Sequence, residues 1–200
     1  MAVYKLSGTS VKNGRTEYSS FLAGNPAVTF SSYESIATTT VGSGGTTSIT
    51  FSSIPSTYTH LQIRAIQRAT AGSFQNIKIV VNGDTGANYA YHLLEGDGSN
   101  ATSGADSSTA TALISQEPGS TQNASVYGVF VMDLLDYANT NKYKTIRNLS
   151  GVDNNGTGKI QLWSGLWQSS SAINSIVFSS ASSNNFAQYS QFALYGIRGA

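Results

Sequence analysis

Short apolar runs with a period of two dominate the chain from residue 35 onward, and clusters of Gly, Asn and Ser separate these runs. The clearest alternation lies in residues 60–65, where Leu61, Ile63 and Ala65 share one face and polar side chains occupy the other. This pattern predicts a half-buried strand with its apolar face on the core. The same pattern predicts strands at or near residues 36–41, 47–51, 60–65, 76–81, 89–94, 110–114, 126–135, 145–152, 158–163, 173–179 and 191–197.

Turn signals join several of these strands. The glycine-rich residues 42–45 predict a β-hairpin between 36–41 and 47–51, and Asn155-Gly156 predicts a tight hairpin between 145–152 and 158–163. Helical periodicity is scarce, and the best candidate is one turn near 136–141, with a loop as the alternative. The sequence therefore predicts an all-β fold, an antiparallel β-sandwich or jelly roll.

Two segments depart from simple alternation. Residues 126–132 are almost continuously apolar, which predicts a strand covered on both faces, either central in a sheet or at a subunit interface. Residues 1–35 sustain no apolar alternation and are broken by Gly8, Gly14 and Gly24-Asn25-Pro26. We expect an extended N-terminal arm over 1–35, which anchors the protein to another surface, and a β-sandwich domain over 36–200.

Composition narrows the possible partners. Charged residues make up 10% of the 200 residues, apolar ones 40%, and the formal net charge is +1. A chain with 11 Tyr and 8 Phe and so little net charge is expected to fold. Nucleic acids and anionic membranes attract clustered Lys and Arg, so neither partner is predicted. The absence of Cys excludes disulfides, thiolate metal sites and Cys nucleophiles.

Targeting signals are likewise not predicted. The first residues lack the apolar core of a secretory signal, and no apolar run reaches the length of a membrane span. The expectation is a soluble protein that stays in the cytoplasm where it is made and has no cleaved signal.

Candidate catalytic residues are few. The chain has two histidines and no G-x-S-x-G nucleophile elbow. His60 lies on the polar face of its strand and is predicted to be an ordinary surface or interface residue, whereas His92 alternates with apolar neighbours and is predicted to be packed and hydrogen-bonded. Asp133 and Asp136 are the nearest carboxylate pair, but their position at a strand end favours backbone hydrogen bonding over glycoside cleavage.

Binding residues are equally generic. The oxygen-rich stretches 95–106 and 153–158 lack the register of a calcium loop. The aromatic pairs Trp163/Trp167 and Tyr89/Tyr91 are predicted to pack in the core, and Arg64 with Arg68, on the polar face, is predicted to serve an interface. We therefore assign no catalytic, cofactor or metal residue and expect no enzyme and no cofactor.

Four segments together resemble a group of small structural proteins of tailed bacteriophages. They are 53–64 (SIPSTYTHLQIR), 81–89 (VNGDTGANY), 136–140 (DYANT) with Lys142 and Lys144, and 192–199 (FALYGIRG). The likeness spans most of 35–199, and residues 21–25 (FLAGN) in the arm add to it. It implies a virion protein without an active site, either a head-decoration or cement protein or a minor tail or fibre protein.

Two function classes follow. In the first, the protein is a capsid cement or decoration subunit that stabilises the shell as a homo-oligomer, a trimer. Its arm, residues 1–35, grasps the major capsid protein, other virion proteins or sister subunits. In the second, it belongs to the tail or a fibre, and loops 95–109 and 153–157 recognise a host-surface glycan. The chain has no repetitive or coiled-coil shaft, which favours the compact lattice-binding subunit.

Overall fold

Twelve β-strands and no helix make up the part of the chain that this computed structural model describes, residues 32–199. The strands are β1 Tyr33–Thr40, β2 Ser48–Phe51, β3 His60–Gln67, β4 Phe74–Val81, β5 Tyr89–Gly96, β6 Ala101–Thr109, β7 Ala112–Pro118, β8 Gly128–Leu134, β9 Lys144–Asp153, β10 Gly158–Trp167, β11 Ile176–Ser180 and β12 Gln191–Ile197.

The strands form two antiparallel sheets. The large sheet has eight strands in the order β1-β12-β3-β8-β9-β10-β5-β6, and the small sheet has four in the order β2-β11-β4-β7. Side chains from both sheets meet in one core, so the all-β sandwich predicted from the alternation is confirmed. The finer description as a jelly roll stays a prediction.

An aromatic cluster joins the two sheets. Phe178 of β11 packs against Phe51 of β2 in its own sheet and against Phe130 and Phe192 of the large sheet, with ring centroids 5.4 to 6.4 Å apart. Leu61 is fully buried beside this core, as the alternation of β3 predicts. Burial of these side chains is the main source of stability.

Two local predictions were wrong. Strands β1 and β2 do not form a hairpin, because β1 pairs with β12 in the large sheet and β2 pairs with β11 in the small one. The glycine-rich segment between them therefore crosses from one sheet to the other. Residues 101–109, predicted to be loop, form β6, which pairs with β5 along the edge of the large sheet. Almost every residue of β6 is exposed, so no apolar alternation marked it.

Other predictions are confirmed or refined. The hairpin between β9 and β10 turns at Asn155-Gly156, where both residues have the positive φ that such a turn requires. Residues 136–139 form a turn. The predicted arm falls mostly on residues outside the described range, while its last three residues, 33–35, begin β1.

Strand β8 is central in the large sheet, and the described residues 32–199 cover only one of its faces. Phe130 and Met132 point into the core and are buried, whereas Val129 and Val131 on the outer face are 51% and 39% exposed. The nearly continuous apolar pattern of 126–132 thus leaves half of its apolar side chains facing outward.

Candidate functional site

The strand register collects the loops of the phage-like segments at one end of the sandwich, which we call the base. It comprises loops 52–59, 82–88, 135–143 and 168–175 with residues 197–199. Tyr33 pairs with Ile197 and Ile197 pairs with His60, so the described chain also begins at the base.

A cluster around Tyr58 fixes one side of the base. Its hydroxyl donates to a carboxylate oxygen of Glu34 at 2.8 Å, and the Arg198 guanidinium lies 4.8 Å from the centre of its ring. Arg198 also approaches Glu34 at 3.6 Å. A Cβ at Gly196 would overlap the Tyr58 ring, so the ring can lie flat on β12 only because that residue is glycine. The Tyr58 hydrogen bond to Glu34 raises the pKa of the phenol.

The loop 82–88 is closed by its own polar side chains. The Asn82 side-chain oxygen accepts from the backbone N–H groups of Asn174 and Ser175 at 2.9 and 3.1 Å. Asp84 accepts from the Trp167 indole at 2.7 Å and from the amide of Asn88. The Trp167 indole, the Asn88 amide and the Gly86 N–H together hold the pKa of the Asp84 carboxyl below its usual value.

Loop 135–143 is anchored in a similar way. The backbone N–H of Asp136 donates to His60 Nδ1 at 3.0 Å, and the Asp136 carboxylate forms an ion pair with Lys142 that lowers its pKa. Tyr137 is fully buried and donates to the Pro55 carbonyl. The ammonium group of buried Lys144 donates to backbone carbonyl oxygens of this loop and of Ser170, and burial lowers its pKa.

These segments thus build a base in which polar side chains hold the loops. Two large apolar side chains remain outside this network, because Leu135 is 52% and Tyr143 is 57% exposed. Prearranged loops bearing exposed apolar groups are suited to binding another protein, since little order is lost on contact.

A second surface lies on the outer face of the large sheet, and we call it the apolar face. It consists of seven large aliphatic side chains that are 39% to 63% exposed: Ile66, Leu94, Val129, Val131, Leu149, Ile160 and Leu162. Val131, Leu149, Leu162 and Leu94 stand opposite one another on four adjacent strands, so they form a continuous row across the sheet. The surface is contiguous, unlike the scattered apolar residues of an ordinary exterior.

A groove of about 900 Å³ opens beside this row toward the end opposite the base. Its floor includes Gly96 and Gly151, and loops 97–98 and 153–158 border it. The structure thus brings together the two acidic loops predicted to recognise a ligand. Asp97 closes its own loop by accepting from the N–H groups of Ser99 and Asn100, and these bonds lower its pKa.

The histidines occupy different environments. His60 accepts the Asp136 N–H and serves the base, in keeping with a surface residue. His92 is exposed on the outer face of β5, so the prediction that it is packed was wrong. Its apolar neighbours Leu94 and Ala90 share that outward face, so apolar neighbours along this strand did not indicate burial. Asp133 accepts from the Gln62 amide, whereas Asp136 is paired with His60 and Lys142, so each carboxylate has its own structural partners.

The aromatic pairs lie in the interior, as predicted. Trp163 and Trp167 are each 2% exposed, Tyr89 is fully buried, and Tyr91 packs against Trp163 with ring centroids 5.7 Å apart. The two arginines, Arg64 and Arg68, occupy different environments. Arg64 is exposed beside the apolar face and lies over the Tyr33 ring.

Arg68 orders a loop of its own chain, and the interface role predicted for it stays a prediction. Its guanidinium donates to the backbone carbonyl oxygens of Gln122, Asn123 and Val126 at 2.6 to 3.1 Å. It therefore orders the loop before β8, which carries Tyr127 to the rim of the groove. Sequence reasoning missed this use because loop carbonyls leave no pattern in the sequence.

Within residues 32–199, no three acidic or histidine side chains are grouped so as to hold a metal ion. The same residues contain no helix long and apolar enough to cross a bilayer. Comparisons with protein-family models, with curated proteins and with solved structures find no match to this chain.

Proposed function

We propose that this protein is a non-enzymatic structural subunit of a bacteriophage virion, a cement or decoration protein that binds the assembled capsid shell. Its base and its N-terminal residues 1–35 make the contact with the shell. The proposal rests on the resemblance of four segments to small phage structural proteins together with the position of those segments in the fold.

The base is the observation that carries this proposal. Segments distant in sequence meet there in one hydrogen-bonded framework, and the N-terminal residues join the domain beside them. Exposed Leu135 and Tyr143 supply apolar contact area at the same end. A rigid end with a chain leaving it fits a subunit that seats on a lattice and adds a tethered second contact.

The strand order is a second, weaker support. From β2 to β5 the chain alternates between the small and the large sheet, and the small sheet has the nonsequential order β2-β11-β4-β7. We propose that this is a jelly roll in which β8, β9 and β10 form a meander within the large sheet. Jelly rolls recur in viral capsid proteins and in lectins, so this analogy fits both function classes.

Deletion of residues 1–30 tests the role of the arm. We expect a folded domain, by circular dichroism and thermal unfolding, that no longer cosediments with the purified particle. Leu135→Asp with Tyr143→Ser tests the base in the same assay and is expected to weaken cosedimentation of the full chain. The control Ser99→Asp alters an exposed loop at the other end. Unchanged cosedimentation of both variants would contradict the proposal.

Electron cryomicroscopy of the particle gives the location directly. A cement protein stabilises the shell by binding only its assembled form, so many copies at symmetry-related positions on the shell are expected. Removal of the protein should then lower the temperature at which the shell disassembles.

A second candidate function is recognition of a host-surface glycan at the tail. The groove favours it, because it places Tyr127 and the carboxylates Asp97 and Asp153 around one concavity. Aromatic rings and acidic oxygens are suited to the apolar and hydroxyl faces of a sugar. A few copies at the tail, and loss of glycan-array binding on Asp153→Ala, would favour this function over the first.

A further inference from the structure

Strand β6 is an edge strand that buries almost nothing of its own. It lies at one edge of the large sheet and, among the described residues, pairs only with β5. Eight of its nine residues are exposed, and they lie on both faces, so the small sheet does not cover this strand. A strand held by a single ladder, with no side chain in a core, gains little stability from its own chain. Its backbone groups on the side away from β5 form a free edge that another strand can use.

The other three sheet edges within residues 32–199 carry features that oppose pairing with a second chain. Strand β1 has a bulge in its first half, and β2 has only four residues. The free edge of β7 is covered, because the backbone N–H of Gln116 donates to the side chain of Gln161 in the large sheet at 3.2 Å. Bulges, short strands and covering are the usual protections of a sheet edge. Over residues 101–107, β6 has none of them, since its pairing with β5 is regular and it contains no Lys, Arg or Pro.

The free edge of β6 also fits a copy of itself. Two identical strands can pair antiparallel about a two-fold axis, and the whole regular segment 101–107 is paired when the axis passes at its centre, Gly104. Ala101 then lies opposite Ser107 of the second copy, and Ser103 lies opposite Ala105. All of these side chains are small, so no bulky group holds the two strands apart.

The same register accommodates the one charged side chain of β6. Asp106 lies opposite Thr102 of the second copy, so a hydroxyl donor faces the carboxylate at two equivalent places. An axis at Asp106 itself would bring two carboxylates together, which disfavours that register. Glu95, the acid opposite Thr102 in its own chain, is paired with Lys159 at 2.7 Å. The N–H of Ser107, at the end of the segment, donates to the Asp106 carboxylate at 2.8 Å and exchanges this bond on pairing.

We propose that β6 is the contact of a two-fold homodimer, in which the large sheets of two copies join edge to edge into one antiparallel sheet. The contact consists of main-chain hydrogen bonds, about six to eight for two strands of this length, with small side chains packed on both faces. A second ladder accounts for a long, regular strand that has no side chain in the core of its own chain. The contact goes beyond the proposed function, because the base and residues 1–31 take no part in it.

Sedimentation equilibrium of the purified full chain over a wide concentration range tests the contact. We expect a monomer–dimer equilibrium for the wild type. Gly104→Asp should weaken dimerisation about tenfold or more, because two carboxylates then face each other at the axis. No atom lies within 4 Å of a Cβ placed at Gly104, so the monomer accommodates the new side chain. The matched control Ala101→Asp adds the same charge to the same exposed strand, opposite Ser107 of the second copy, and should change the dimerisation constant about twofold at most.

Introduced cysteines test the register. The chain has no cysteine of its own, so each new thiol can pair only with another introduced one. Gly104→Cys should form an intermolecular disulfide on mild oxidation, because opposed residues of antiparallel strands have Cα atoms about 4.5–5.5 Å apart. Ala101→Cys alone should not, since the axis separates its two copies by roughly 20 Å along the strand, and adding Ser107→Cys should produce the cross-link. Circular dichroism and thermal unfolding check that each variant folds.

Three results would overturn the proposal. They are a wild type that is a monomer or a trimer at every concentration, a Gly104→Asp variant that dimerises as well as Ala101→Asp, and an Ala101→Cys variant that cross-links as readily as Gly104→Cys. Deletion of residues 1–30 should leave the dimer intact and abolish particle binding, whereas Gly104→Asp should still cosediment with the particle. Failure of the proposed function and failure of this contact are therefore distinguishable.

Discussion

Removal of the Phe178 ring is the most direct test of how the two sheets are joined. The side chain is fully buried, and it contacts Phe51, Phe130 and Phe192 at centroid distances of 6.4, 6.1 and 5.4 Å. Phe178→Ala removes the ring that links β11 to two strands of the large sheet. The surrounding rings belong to paired strands and cannot close the cavity without moving the backbone.

The magnitude follows from the transfer and cavity terms. Truncation of a fully buried phenylalanine costs about 3–5 kcal/mol of unfolding free energy, and we expect the upper half of this range because three aromatic contacts are lost with the ring. For a domain of this size the melting temperature falls by about 2–4 °C per kcal/mol, so a decrease of about 10 °C or more is expected.

Urea unfolding followed by tryptophan fluorescence is the appropriate assay, since Trp163 and Trp167 are buried and become exposed on unfolding. All variants are compared at one protein concentration, because self-association would add to the apparent stability. Leu135→Ala is the control and should change the free energy by no more than about 0.5 kcal/mol. A loss of less than about 1 kcal/mol for Phe178→Ala would refute the aromatic cluster as the joint between the sheets.

Three further variants test the core, the base and a buried acid. Leu61→Asp should destabilise the fold by about 4 kcal/mol or more by burying an unpaired charge, whereas Arg64→Asp on the exposed face should cost far less, as urea unfolding will show. Gly196→Ala should cost about 1–3 kcal/mol because the new methyl group displaces the Tyr58 ring, and Tyr58→Ala should recover part of this loss in a double-mutant cycle. Glu117 is buried and neither of its carboxylate oxygens has a hydrogen-bond partner among the described residues, so burial raises its pKa well above the usual value. The contribution of Glu117 to the free energy of unfolding is fully present below the unfolded-state pKa of about 4.3. This contribution is lost as the pH rises through the folded-state pKa. Glu117→Gln should therefore raise the melting temperature at pH 8 relative to the wild type and have a smaller effect at pH 4, and an equal effect at both would contradict this account.

The base and the apolar face are distinct surfaces of the molecule. The base carries the segments that resemble phage structural proteins, and the hydrogen bonds of Asp84, Lys144 and Tyr58 show that these residues hold loops in place. The apolar face carries no part of that resemblance except its edge at Gln62 and Arg64.

Alternating side chains made the sandwich predictable. In β3, one face is buried and the other is exposed, so the alternation over residues 60–65 predicted both the strand and the face that it buries. The turn at Asn155-Gly156 was predictable because few residues tolerate a positive φ at both positions. The sequence alone therefore determined the fold class, most of the strands and the burial of Trp163 and Trp167.

Partner choice between strands was decided only by the tertiary structure. Local pattern could not show that β1 and β2 belong to different sheets, because both read as ordinary strands and their partners β12 and β11 lie far away in sequence. Strand β6 was not predicted, for another reason. It lies at an exposed edge of the large sheet and has no apolar face to bury. The orientation of His92 was misjudged because the face of the large sheet that it occupies is itself apolar.

The candidate surfaces show the same division. The sequence by itself contained the phage-like segments and the apolar run of β8, since both are local. Only the folded chain places loops 52–59, 82–88 and 135–143 at one end. Only the register of four strands sets Val131, Leu149, Leu162 and Leu94 in one row. Surfaces of this kind are properties of long-range pairing, and a single strand does not encode its neighbours.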